Sequence, residues 1–237
     1  MAKTIGWTLT AAILASLLYI VWLPDVAPLK HSPPKTTAFI ELRRAQLERE
    51  GKKRVVQRVW VPYDRISDNL KRAVITAEDD TFYRHGGIDW DNVKVALEKD
   101  WQLKRPAYGA STLTQQLARN LYLSPSKNPL RKIKEMLIAR RLESALGKRR
   151  ILELYLNVVE WGRDVYGAEA AAQAFFGKPA ADLTIEEAVA MAVVLPSPRK
   201  HNPAKRGKYV ERNMRRVLER MKASGYLDDA AALTDAR

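Results

Sequence analysis

The feature that most constrains the fold is a helical spacing of apolar residues, which recurs along most of the chain. It is found in the segments 70–77, 151–155 and 210–221. Thr112 and Thr184 are each followed three residues later by Gln or Glu, a spacing that forms a capping box at the start of a helix. The sequence therefore predicts a mainly α fold.

The amino-terminal stretch 5–23 carries no charge and is long enough to cross the core of a bilayer. Trp7 lies near one end, and Tyr19 and Trp22 lie near the other, as aromatic residues do at membrane interfaces. We predict an uncleaved transmembrane helix. The alternative is a cleaved signal peptide, whose apolar region is normally shorter. The flanking lysines do not settle the orientation.

Three segments follow from this pattern. Residues 1–23 form the predicted anchor, and 24–54 the predicted stalk and membrane-proximal segment. Within it, 24–37, with four prolines, is expected to be extended, and 39–49 to be helical. The remaining chain, 55–237, has the mixture of apolar and charged residues expected of one sizeable folded domain, beginning with a short strand at 55–61.

The chain has a formal net charge of +14, which predicts attraction to a polyanion. Nucleic acid, an anionic bilayer surface and a phosphorylated substrate all satisfy this condition, but no nucleic-acid-binding motif accompanies the basic residues. There is no cysteine, which excludes a disulfide framework and a thiolate site. Three histidines without cysteine argue against zinc.

The first apolar stripe ends at Glu78 and Asp79, the start of the segment 78–87. A carboxylate in this position faces the negative end of the helix dipole, and Phe82 provides apolar cover. Both effects disfavour ionisation, so we predict that the pKa of Glu78 is raised toward the value that a general base needs. The alternative is a solvated Glu–Asp pair that ends an ordinary helix.

Polar side chains cluster where the next helix is predicted to begin. They are Ser111, Thr112, Gln115 and Gln116, with Arg119 on the following turn. The free backbone amides of a helix start bind anions, so we predict that this segment holds a phosphate and sugar hydroxyls. A well-capped polar helix start is the alternative.

Two cations precede a glutamate in the segment 127–135. Arg131 and Lys132 lie four and three residues before Glu135, and this spacing puts them on one helix face. Lys127 lies about one turn before Arg131. We predict a diphosphate site in which Glu135 is held ionised by its neighbours. The alternative is an exposed ion pair of little energetic value.

Taken in order, these motifs resemble those of the peptidoglycan glycosyltransferase family, found alone or as the amino-terminal domain of bifunctional penicillin-binding proteins. The first family motif is complete in Glu78, Asp79, Phe82, His85 and Gly87. The later motifs are found in Gly109 with 111–116, in Arg131, Lys132 and Glu135, in 151–157, in Gly167 with 171–172 and 176–178, and in 187–198. The resemblance covers residues 55–203.

Three positions depart from the family pattern: Arg119 stands where lysine is common, Lys127 where arginine is common, and Ala110 where a second glycine is frequent. Because arginine and lysine bind phosphate differently, the phosphate contacts at the first two positions need not follow the family. No transpeptidase motif follows, so the resemblance implies the monofunctional form.

The resemblance implies a bilobed, lysozyme-like, mainly helical glycosyltransferase domain at 55–237. Its reaction transfers a glycan chain from an undecaprenyl diphosphate carrier to the sugar 4-hydroxyl of lipid II with inversion. On this basis Glu78 is the expected general base, and Glu135 is the second catalytic residue. The expected contacts to sugar or diphosphate are Ser111, Thr112, Gln115, Gln116, Arg119, Lys127, Arg131 and Lys132. Asp79, Phe82 and His85 are expected to support the loop.

The resemblance also bears on partners and location. It leaves open a divalent cation, Mg or Mn, at Glu78 or Glu135. The expected partners are lipid II, the growing undecaprenyl diphosphate-linked chain, the membrane and proteins of cell-wall synthesis or division, without nucleic acid. The expected location is the cytoplasmic (inner) membrane, as a single-pass protein with its catalytic domain on the periplasmic or outer side.

Two other functions compete with this one. A lysozyme-like lytic enzyme that cleaves glycan strands is also helical and uses a buried glutamate. A non-catalytic, membrane-tethered basic module is the second rival, and it predicts no consequence of Glu78→Gln.

Overall fold

A computed structural model of the chain describes residues 2–104, 111–126 and 128–227. Helices dominate these ranges, as the sequence predicts. They are α1 (Ala2–Val21), α2 (Ala38–Arg49), α3 (Asp68–Glu78), α4 (Trp90–Leu103), α5 (Leu113–Tyr122), α6 (Pro129–Ala145), α7 (Lys148–Val158), α8 (Ala168–Phe176), α9 (Ile185–Val194) and α10 (Lys208–Ala223). Short 3-10 helices span Ala27–Lys30, Tyr63–Arg65 and Ala180–Asp182.

The helices that frame the site pack in two groups. In one, α3 packs against α9 and α10. In the other, α5 packs against α6 and α7, and α2 also contacts α5. The helix α9 lies in the core, since every residue from 188 to 194 is buried. Burial of the apolar faces of these helices is the main favourable contribution to the stability of the fold.

A small sheet joins the segment before α3 to the turn after α7. Its strands β1 (Gln57–Arg58), β2 (Glu160–Gly162) and β3 (Val165–Tyr166) lie in the order β1-β3-β2. β3 pairs parallel with β1 and antiparallel with β2. The strand predicted at 55–61 is thus confirmed, although it is only two residues long.

The helix expected at 39–49 is confirmed as α2, but the stretch 24–37 is packed on the domain and is not the extended stalk that was predicted. Its residues 27–30 are helical, and the side chains of Val26 and Leu29 are buried in the hydrophobic core. In α2, Arg43 is buried and its Nε donates to Asp164 Oδ1 at 2.5 Å. The prolines suggested an extended chain, but burial of apolar side chains and a buried ion pair hold the segment against the domain.

The helix α1 lies against α6. The Nζ atom of Lys134 is 4.1 Å from the ring centroid of Tyr19, a cation–π contact between the two helices. Among the helices that the structure describes, none combines the length and the apolar character needed to span a membrane. The predicted anchor at 5–23 is therefore not confirmed.

The helix α4 differs from the others because none of its residues is buried. Its apolar residues are largely exposed: Trp90 at 60%, Leu97 at 65% and Trp101 at 86%. These apolar residues recur at helical spacing, but they face outward. An apolar row on an exposed helix is unusual for a surface in water.

Candidate active site

Glu78 is the last residue of α3 and lines a cleft. The apolar face of α3 packs into the core, and this packing places the end of the helix at the cleft. Burial raises the pKa of Glu78 above its ordinary value. A hydrogen bond from Gln116 and the charge of Arg119 lower it in part, and the charge of Asp79 raises it further.

The next residues fold into a loop that is fixed by Asp79. Its Oδ2 accepts a hydrogen bond of 2.9 Å from the backbone N–H of Leu113, at the start of α5. Its Oδ1 lies 2.9 Å from Nε2 of His85. Phe82 is fully buried, and the Nζ atom of Lys148 lies 4.5 Å from its ring centroid. Asp79, Phe82 and His85 therefore all contact the protein around them.

Gly87 ends this loop and has a positive φ of 91°. A Cβ at this position would lie 2.9 Å from Cγ of Glu143 and 3.1 Å from the carbonyl oxygen of Ala139, both on α6. The Thr112 hydroxyl donates to the Gly87 carbonyl at 2.7 Å. A glycine is thus required both by the backbone conformation and by the close approach to α6.

The predicted capping box at the start of α5 is confirmed. The backbone N–H of Gln115 donates to Thr112 Oγ1, and the backbone N–H of Thr112 donates to Gln115 Oε1. Both side chains are buried. Their expected contacts to sugar or phosphate stay a prediction; both side chains form the cap, and Thr112 also lines the cleft.

Ser111 and Gln116 differ from these two residues. Ser111 lines the cleft, and its Oγ accepts a hydrogen bond of 2.7 Å from Lys132 Nζ. Gln116 uses its side chain to contact Glu78, with Nε2 donating to Oε2 at 2.8 Å. Gly109 and Ala110, which precede Ser111 in the second motif, lie outside the described residues.

Arg131, Lys132 and Glu135 lie together on the first turns of α6. Glu135 is fully buried, and Oε1 accepts from Lys132 Nζ at 2.6 Å while Oε2 pairs with Arg131. The exposed ion pair considered as an alternative is excluded, because Glu135 is buried. Arg131 is also largely buried and donates to the carbonyl of Ser126 at 2.5 Å, whereas the Lys132 side chain is 39% exposed.

The cleft is lined by residues from several of these elements. Its volume is about 260 Å³, and its described walls come from the end of α3, from α4, from the start of α5 and from α10. Glu78, Ser111, Lys99 and Arg220 are among the lining residues. Because Ser111 also bonds to Lys132, it connects the cleft of Glu78 with the cations on α6. Lys127, expected to join these cations, lies outside the described residues.

Two groups that hold the site were missed from the sequence. Tyr155 on α7 is fully buried, and its hydroxyl donates to Gln116 Oε1 at 2.9 Å. Lys148 donates to Glu143 and to the carbonyl of His85, each at 2.7 Å. Tyrosine on an otherwise aliphatic helix face was the available signal, since a buried tyrosine hydroxyl usually finds a hydrogen-bond partner.

At Glu135 neither carboxylate oxygen is left for a divalent cation, whereas the expectation of such a cation at Glu78 stays a prediction. Both oxygens of Glu135 are paired with cations. Among the described residues, the possible ligands that cluster are Asp79, His85 and Asp89. These residues already bond within the protein: Asp79 with His85 and Leu113, and Asp89 with Thr81 and Asn92.

The chain is similar to known proteins of one family. The transglycosylase family model matches residues 44–222. Proteins described as biosynthetic peptidoglycan transglycosylases are similar to the chain over most of its length. The one from Azoarcus sp. (strain BH72) is 48% identical, covering 84% of this chain and 87% of its own length. The one from Aromatoleum aromaticum is 46% identical, covering 91% and 94%. The one from Chromobacterium violaceum is 40% identical, covering 93% and 97%.

Proposed function

The chain belongs to the transglycosylase family and is a peptidoglycan glycosyltransferase, and we propose that Glu78 is the general base of its reaction. The observation that carries the proposal is a carboxylate with a burial-raised pKa at the wall of a cleft. A base of this kind takes up a proton more readily than an ordinary glutamate does.

The reaction joins lipid II to a glycan chain carried on undecaprenyl diphosphate. The 4-hydroxyl oxygen of the acceptor sugar attacks the anomeric carbon of the donor, and its proton passes to the Glu78 carboxylate. The bond from the anomeric carbon to the diphosphate oxygen breaks, and its electron pair leaves with undecaprenyl diphosphate. One displacement of this kind inverts the anomeric centre.

The leaving diphosphate gains negative charge in the transition state, which cations stabilise. Lys132 is the best placed to contact it, because its side chain is partly exposed and bonds to Ser111 at the cleft. Arg119, whose charge acts on Glu78, is a second candidate, and Lys127 a third. Arg131 and Glu135 are buried and paired, so we assign them the role of positioning Lys132.

Location and overall arrangement are also part of the proposal. A substrate with an undecaprenyl tail lies in the bilayer, so an enzyme held at the outer face of the cytoplasmic membrane meets it directly. The uncharged stretch 5–23 is proposed as the anchor, with the catalytic domain on the periplasmic side. The groups α3–α9–α10 and α5–α6–α7 are proposed as the two lobes of a lysozyme-like fold. Proteins of cell-wall synthesis or division are proposed partners.

The test is polymerisation of purified lipid II by the detergent-solubilised chain, with released undecaprenyl diphosphate as the readout. Glu78→Gln keeps the shape of the side chain and removes the base, so we expect kcat to fall at least about 100-fold. The control is Asp80→Asn, which removes the carboxylate of an exposed ion pair with Arg220 in the same cleft. Its activity should stay within about threefold of wild type, since exposed pairs contribute little.

Two outcomes would contradict the proposal. A folded Glu78→Gln variant that polymerises normally would show that the base lies elsewhere. A wild-type chain that makes no polymer but cuts existing glycan strands would instead indicate the lytic alternative.

A further inference from the structure

A chain of two hydrogen bonds ends on the proposed base and crosses three helices. The Tyr155 hydroxyl on α7 donates to Gln116 Oε1 on α5 at 2.9 Å. Gln116 Nε2 in turn donates to Glu78 Oε2 at the end of α3, at 2.8 Å. We propose that Tyr155 is a positioning residue that acts through Gln116 to orient the Glu78 carboxylate toward the acceptor hydroxyl. This inference rests on the proposed role of Glu78.

The chemistry of the groups fixes the direction of both bonds. An ionised carboxylate only accepts hydrogen bonds, so Gln116 must turn its NH₂ group toward Glu78. The amide oxygen then faces Tyr155, whose hydroxyl must donate. Burial raises the pKa of Tyr155 well above its ordinary value, which keeps the proton on the phenol.

Tyr155 makes the opposite orientation of the amide unfavourable. If the Gln116 amide rotated by half a turn, its oxygen would face the Glu78 carboxylate and its NH₂ group would face the phenol. The phenolic hydrogen would then lose its acceptor, and because Tyr155 is fully buried no bulk water replaces it. An unsatisfied buried donor is strongly disfavoured, so the hydroxyl holds the amide in one orientation.

This orientation matters for the proton transfer. Gln116 occupies Oε2 of Glu78 and fixes the plane of the carboxylate, which assigns Oε1 to the acceptor hydroxyl. Arg119 and Asp79 act on Glu78 through their charges, as causes of its pKa shift. Other charged residues share the cleft with Glu78, namely Asp80, Asp89, Lys99 and Arg220. A direct hydrogen bond orients the carboxylate in a way that charge at a distance does not.

The first test is Tyr155→Phe, which removes the hydroxyl and keeps the ring. In the lipid II assay we expect kcat to fall about tenfold, because a loosened base is less often in a reactive orientation. The KM for lipid II should stay within about twofold, since the hydroxyl is fully buried and bonds to Gln116. The matched control is Tyr166→Phe, the same change at a fully buried tyrosine on β3, for which kcat should stay within about twofold of wild type.

A double-mutant cycle separates positioning from a general packing effect. Gln116→Ala alone should lower kcat at least as much as Tyr155→Phe. In the Gln116→Ala background, Tyr155→Phe should change kcat by less than about twofold, because the residue through which it acts is gone. If the separate effects of Gln116→Ala and Tyr155→Phe on kcat multiply in the double variant, the proposal is wrong. A Tyr155→Phe variant with wild-type kcat, or one whose loss is entirely in KM, would also overturn it.

The two proposals fail in different ways. If Glu78→Gln is inactive and Tyr155→Phe retains wild-type kcat, the base assignment stands and the positioning role of Tyr155 is wrong. If Glu78→Gln is active, the base assignment is wrong, and the positioning role falls with it. Thermal unfolding of each variant shows whether a loss of kcat reflects loss of the folded protein, and Gln116→Ala provides a second route to the same contact if Tyr155→Phe unfolds.

Discussion

Glu78 and Glu135 are the same side chain in opposite surroundings. Glu78 ends α3, lines the cleft and accepts a hydrogen bond from the neutral amide of Gln116. Glu135 lies within α6, is fully buried and is paired with both Arg131 and Lys132. A neutral partner leaves the burial of Glu78 only partly compensated and its pKa raised, whereas two cations offset the burial of Glu135.

The difference shows two ways in which a carboxylate can serve one reaction. A base must face the substrate and must take up a proton, and Glu78 both lines the cleft and has a raised pKa. Glu135 is sealed from solvent and holds two cations in place. We infer that the expected pair of catalytic glutamates consists of a base and a positioning residue.

The largest effects should come from exchanging each glutamate for glutamine. Glu78→Gln should remove activity without lowering stability, whereas Glu135→Gln should lower the free energy of unfolding by about 3 kcal/mol. The second effect arises because the buried Arg131 loses its ionic partner. Chemical denaturation at pH 7 measures stability, and the lipid II assay measures activity. Equal losses of stability in the two variants would contradict the comparison.

The direction of the stability change in Glu78→Gln follows from the raised pKa of Glu78. The folded protein binds this proton more tightly than the unfolded chain does, so ionised Glu78 lowers stability at pH values above its ordinary pKa of 4.5. Removing the charge should therefore leave Tm unchanged or raise it at pH 7. The difference between wild type and variant should shrink as the pH falls below 4.5, where both side chains are neutral in either state.

Local patterns in the sequence predicted the parts of the site that depend on near neighbours. The spacing of Thr112 and Gln115 predicted the start of α5, and the apolar stripe before Glu78 predicted that α3 ends there. The same local signal did not show which contacts the neighbouring side chains make. The side chains of Thr112 and Gln115 form the cap of α5. Beside them, Ser111 accepts a hydrogen bond from Lys132, and Gln116 donates one to Glu78.

Contacts between distant segments could not be predicted in this way. Tyr155 and Gln116 are far apart in the chain, and only the packing of α7 on α5 brings them together. The prolines around Leu29 indicated an extended stalk, but its burial depends on core surface supplied by other elements. The spacing around Glu135 predicted its partners, whereas its burial depends on how α6 packs.

Lys132→Met should have the next largest effect. Lys132 is the proposed contact to the leaving diphosphate, so we expect kcat to fall about 10- to 100-fold, as for loss of a group that stabilises developing charge. Stability should fall less than in Glu135→Gln, because the Lys132 side chain is partly exposed. The lipid II assay and thermal unfolding measure the two effects.

The control for Lys132→Met is Arg140→Met, which removes an exposed cation from the same helix. It should retain wild-type kcat. If Arg140→Met loses as much activity as Lys132→Met, the net charge of the surface matters rather than a specific contact. If Lys132→Met keeps full activity, Lys132 does not stabilise the leaving diphosphate. The ion pairs of Glu135 would then contribute to stability and not to catalysis.

The smallest effect, and the sharpest for assigning the base, concerns pH. The acid limb of kcat/KM reports the protonation of the free enzyme's base, so activity should fall as the pH drops through the raised pKa of Glu78. The charge of Arg119 lowers that pKa. Arg119→Gln should therefore move the acid limb to higher pH, whereas Arg140→Gln should leave it in place.

An acid limb that moves when Arg119 is changed assigns the titration to Glu78, because the cations paired with Glu135 are Arg131 and Lys132. If the acid limb stays fixed or moves to lower pH in Arg119→Gln, the titrating group is not Glu78. The assignment of Glu78 as the base and Glu135 as the positioning residue would then be wrong.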